Sequence, residues 1–149
     1  MKGQVSTELL IIVGFVLLIF IPLLVLVYMK ANDANQQIAS YQAELAVSRL
    51  GSLANSVGSL GVSSQVITDV YVPPNTISLT TNDAGRGGEI ALKINTPQGE
   101  TEVVEVVKYP IDNPGTLVNT MGSGGWVKIK ITSTYNGTTE AHIKIERMT

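Results

Sequence analysis

Hydrophobic and polar positions divide this chain into three stretches with different periods. Leu9 to Met29 is a run of 21 residues without a charged side chain. At 1.5 Å rise per residue, a helix of that length covers the ~30 Å hydrocarbon thickness of a bilayer. A run that is apolar on every side has no face to turn to water, so the pattern predicts a helix that enters a membrane at some stage. Pro22 lies inside it and predicts a kink of the sort membrane helices tolerate. After Met29 the period changes. Ala34, Ile38, Tyr41, Leu45, Ala46 or Val47, Leu50, Leu53 and Val57 recur at three- and four-residue steps, with Asn35, Gln36, Gln37, Gln42, Glu44, Arg49 and Asn55 opposite them. That spacing predicts an amphipathic continuation of the same helix, stopped by Gly58 and Gly61. One helix from about Ser6 to Val57 would be roughly 75 Å long. One face of its second half would seal the rest of the chain, leaving a flank for other subunits.

From Ser63 to Thr149 the period is two. Strands are expected at Gln65–Val72, Thr76–Thr81, Glu89–Asn95, Thr101–Tyr109, Trp126–Ser133 and Glu140–Arg147, separated by clusters of Pro, Gly, Asn and Asp. Val127, Ile129 and Ile131 face one way and Lys128, Lys130 and Thr132 the other; Ala141, Ile143 and Ile145 repeat the scheme against His142, Lys144 and Glu146. Asn136-Gly137 between those two strands is a strong hairpin signal. Trp126, opening its strand, is expected to anchor the core. The fold class is α+β: a long N-terminal hydrophobic helix over residues 4–61, then a small antiparallel β-sandwich or barrel-like head over 62–149.

Composition narrows the chemistry. The formal charge is −2, with no basic face of the kind nucleic-acid binding needs. The absence of cysteine removes disulfides, thiolate catalysis and sulfur-ligated metals, and a single histidine leaves no material for a triad or a multi-histidine metal site. These totals point away from an enzyme, and no cofactor or metal is implied. His142 falls on the polar side of its strand and reads as exposed and incidental. Gly85-x-Gly87-Gly88 lacks the Gly-Lys-Ser/Thr ending and following helix of a phosphate loop, so it reads as a turn. Asn82, Asp83 and Glu89 lack the spacing of a calcium loop. Asn136-Gly137-Thr138 is an acceptor sequence for N-glycosylation, and a hairpin tip would expose it.

The flank before the apolar run is more specific. Lys2 places positive charge on the N-terminal side, which favours keeping that tip cytoplasmic and exporting the C-terminal part of the chain. The run is longer than the ~7–15 apolar residues of an ordinary secretory signal, and no small-x-small cleavage pair follows it. Glu8 abuts the run, where a carboxylate is costly without a partner, although at the membrane edge it could also sit among headgroups and favour the first helical turn. Gly3 followed by Gln4, Ser6 and Glu8 and then the unbroken apolar stretch resembles the class III signal peptide of archaeal type IV pilins, whose pattern is Gln-x-Ser-x-Glu-x-x-x-Leu. Ile12 stands where Leu is usual, and the likeness extends over the helix but not the head.

The resemblance implies cleavage between Gly3 and Gln4 by a prepilin peptidase, which removes residues 1–3 and leaves the apolar helix on the mature chain. It further implies that the new amine of Gln4 pairs with Glu8 of a neighbouring subunit. The expected protein is a structural subunit of an archaeal type IV pilus. It would be held in the cytoplasmic membrane as a precursor and then polymerised with itself by the pilus assembly machinery into an extracellular filament for adhesion. The alternatives are an archaellin of a swimming filament and a membrane-anchored, monomeric ligand-binding module. An amphipathic extension beyond the membrane argues against a mere tether, which is more often polar and flexible.

Overall fold

A computed structural model describes the chain from Lys2 to Met148, apart from Gln98, Ser123, Asn136, Thr138 and Thr139; its described side chains begin at Ser6 and omit Met121. The first element is a single helix, α1, Lys2–Leu60, which runs unbroken through Pro22. It closes at Gly61, whose φ of 92° is the left-handed conformation that a residue without Cβ adopts freely. Gly58, expected to help stop the helix, instead lies inside it.

The chain forms two compact units, residues 1–37 and 38–149. The first is helix throughout its described length. The second contains the remainder of α1 and seven strands: β1 Gln65–Val72, β2 Thr76–Asp83, β3 Gly88–Thr96, β4 Gly99–Val107, β5 Gly115–Met121, β6 Gly125–Tyr135 and β7 Ala141–Met148. They form two antiparallel sheets, one ordered β1-β6-β7 and one β4-β3-β2-β5. The architecture is therefore α+β, with a β-rich head. Six of the strands fall where period two places them. The seventh, β5, opens at Gly115, which reads as a turn residue, and runs through 116–121, where the sequence predicts no strand.

Register follows the alternation. β6 pairs antiparallel with both β1 and β7, setting Ile131 opposite Val66 on one side and Ile145 on the other. Val127, Ile129, Ile131, Ile143 and Ile145 are all buried. The second sheet adds Leu79, Ile90, Leu92, Ile94 and Val107, and α1 adds Ala43, Ala46, Val47, Leu50, Ala54 and Val57 to the same cluster. α1 lies between the outer edges of the two sheets. Arg49 donates to Thr68 Oγ1 of β1 (3.2 Å), and Asn55 Oδ1 accepts from the backbone N–H of Lys108, just past β4 (2.8 Å). On the opposite side the segment before β5 joins the sheets. Ile111 bridges Ile143 in parallel, and the Asn113 amide donates to Ile145 O (2.7 Å) and accepts from Ile145 N (3.0 Å).

Candidate assembly site

The residues singled out at the N-terminus fall within the first two turns of α1. Gln4 and Glu8 are four positions apart in sequence, with Ser6 midway between them. Ser6 and Glu8 are exposed; the side chain of Gln4 lies outside those described, as does any account of Gly3 beyond its place in the helix. Asn136, the glycosylation candidate, lies outside the described residues, but β6 and β7 flank it as an antiparallel hairpin, as Asn-Gly predicts.

From Leu9 to Met29 every large apolar side chain is exposed, from 48% at Val13 to 76% at Tyr28. A Cβ added at Gly14 would meet no atom within 4 Å. Among the described residues α1 is the one helix long and apolar enough to cross a membrane. A surface this apolar is stable only in lipid or against other apolar surface, because leaving it in water costs about 25 cal/mol per Å².

The head adds a second apolar surface, which divides the amphipathic face of α1. Ala43, Ala46, Val47, Leu50, Ala54 and Val57 turn into the core, whereas Ile38, Tyr41 and Leu45, expected on that same face, remain 52%, 68% and 70% exposed. Trp126 is 69% exposed and does not anchor the core. Its ring meets Tyr71 edge-on, with centroids 5.4 Å apart, across the β1–β6 pair. The signal was present in the strand's own parity. With Val127, Ile129 and Ile131 inward, position 126 must face outward with Lys128 and Lys130. Between α1 and these strands runs a groove of about 380 Å³ lined by Leu45, Ala46, Arg49, Tyr71 and Trp126.

The remaining polar features are structural. His142 is mostly buried rather than incidental: its Nδ1 lies 2.8 Å from Asp112 Oδ1, and Thr134 Oγ1 donates to the other carboxylate oxygen. This cluster holds the segment before β5 against β7. The turn after β2 is closed by Asp83 Oδ1, which accepts from Gly85 N (3.0 Å). Lys93 pairs with Glu100 across β3 and β4 at 2.8 Å, and that carboxylate holds the ammonium above its ordinary pKa of 10.5. Ser48, Ser52, Asn55, Glu105 and Lys108 line a shallow polar groove of about 460 Å³. Among the described residues no three His, Asp or Glu side chains gather where they could hold a metal ion. Compared with known proteins, the chain matches no family model, no curated protein and no solved structure.

Proposed function

We propose that this chain is a structural, non-catalytic subunit of an archaeal type IV pilus, inserted in the cytoplasmic membrane as a precursor and then polymerised into an extracellular filament for attachment. The observation that carries this reading is the uniform exposure of Leu9–Met29 on a helix that continues into a folded head. A membrane tether would use such a run once. A filament subunit uses it twice, first against lipid and then against copies of itself. The Gln4, Ser6 and Glu8 pattern supports the second use. Contact of several hundred Å² between two such helices is worth roughly 25 cal/mol per Å² before ordering costs, ample but poorly directional because Leu, Ile and Val differ little along the run. A single carboxylate at its head supplies direction. Outside lipid Glu8 needs a positive partner, and only one stagger brings it to the new amine of a neighbour's Gln4.

Two measurements test the reading. Intact-mass analysis of the protein from its native cell should give a chain beginning at Gln4; one retaining Met1, or lacking the whole apolar run, contradicts the proposal. Glu8→Gln keeps size and hydrogen-bonding capacity but removes the charge. The variant should be synthesised, inserted and cleaved normally, yet give few or irregular filaments under electron microscopy. Filaments of normal number and order would mean that the carboxylate is only a cap among headgroups.

A further inference from the structure

We infer that the groove between α1 and the β1–β6 pair is the seat for the apolar segment Leu9–Met29 of a second copy of this chain; the inference rests on the filament reading above and locates one of its contacts on the head. Exposed tryptophan is uncommon, and here it sits in an apolar surrounding. Trp126 and Leu45, each about two-thirds exposed, line the groove with buried Ala46 and Val70 and with uncharged Gln42, and Tyr41, equally exposed, precedes Leu45 by one helical turn. Single exposed apolar residues mean little, but a contiguous patch of aromatic and aliphatic side chains beside a groove marks an interface.

Charge indicates what fills it. Among the described residues Arg49 is the only charged one lining the groove, and its guanidinium is drawn aside to Thr68 Oγ1. The floor is therefore neutral, and an ionised partner would be desolvated there without compensation. A fitting occupant is apolar, rod-shaped and uncharged over at least two turns, because α1 supplies one wall and the groove follows it from Gln42 to Arg49. Leu9–Met29 is the chain's one long apolar run, charge-free over 21 residues, and all its large side chains are exposed. Those side chains project on every side of the helix, so a single neighbouring helix cannot cover them. A surface on another subunit's head answers that need.

Trp126 is the only tryptophan in the chain and therefore reports on this groove alone. Acrylamide quenching would be measured on the full-length chain in two states: dilute in phosphatidylcholine vesicles, and as filaments. The expected result is open access and red emission in the vesicles, then several-fold weaker quenching and a blue shift in filaments. Trp126→Lys and Leu45→Glu, both at exposed positions that leave the core intact, should be inserted and cleaved like the parent and keep its β-sheet circular dichroism, but assemble poorly. Wild-type filaments in which Trp126 stays as accessible as in vesicles would overturn the groove proposal while leaving the filament reading intact. Shielding already complete in dilute vesicles would also overturn it, assigning the groove to lipid. Normal filaments from both variants would do the same. A wild-type chain that never associates would overturn the filament reading together with this one.

Discussion

Asn113 uses both ends of its side-chain amide on one residue of β7, replacing with a side chain the backbone pairing that a further strand would provide. Truncating it leaves a partly buried donor and acceptor at Ile145 without partners, and each such loss costs about 1–3 kcal/mol. Asn113→Ala should therefore lower the melting temperature of the head, by roughly 4–8 °C for each kcal/mol lost in a domain of this size. Thermal circular dichroism would measure it, and a shift below about 2 °C would mean that water replaces the amide at little cost. Only half of this is legible in the sequence. Asp112-Asn113-Pro114-Gly115 announces a turn, but nothing local says that a turn residue reaches an edge 32 positions later. The burial of His142 is hidden for the same reason, since its polar partner Asp112 is remote in sequence. Trp126 is a different case. Alternation already places it outside, and the habit of burying tryptophan outweighs a parity that Val127, Ile129 and Ile131 make plain.

Strands β1, β6 and β7 follow their alternation closely because each has one face on the core and one in water, so the period is clean. β5 escapes because it is a short edge strand paired only to β2, and its register slips between Leu79 and Thr80. The adjacent apolar pair Leu117 and Val118 also breaks the alternation there. Gly58 on α1 misleads for a related reason. A glycine near a helix end suggests a stop, yet here it gives room to Tyr109: a Cβ at position 58 would stand 2.3 Å from the Tyr109 ring. Propensity and packing then oppose each other. Alanine in a helix interior gains about 1 kcal/mol over glycine. Forcing an aromatic ring aside in a packed contact costs typically about 1–3 kcal/mol. Packing should win, so Gly58→Ala is expected to destabilise the head modestly in chemical denaturation, and Gly58→Ala combined with Tyr109→Ala should recover the helical gain attributable to alanine at 58. A more stable single variant would indicate that Tyr109 moves freely and that Gly58 is a mere remnant of the expected stop.

The core begins at Ala43, and among the described residues no buried one precedes it. Deleting residues 1–30 therefore removes none of the described buried residues, and the compact unit 38–149 keeps all seven strands together with the part of α1 that packs into their core. The expectation is that a chain running from Ala31 to Thr149 folds cooperatively without detergent, with a β-rich circular dichroism spectrum and a helical contribution from the remaining portion of α1. Division of labour within one chain is the physical reason. The apolar run serves contacts between molecules, whereas the period-two strands and the inward face of α1 satisfy one another. The shortened chain still exposes Tyr41, Leu45 and Trp126, so weak self-association at high concentration is compatible with folding and would be suppressed by Leu45→Glu. Sedimentation and thermal melting separate these outcomes. A cooperative transition with a monomeric species at low concentration supports an autonomous head. A spectrum of disordered chain, or folding seen only on addition of detergent, would mean that the head depends on residues 1–30, and that the boundary between assembly and folding lies elsewhere in the sequence.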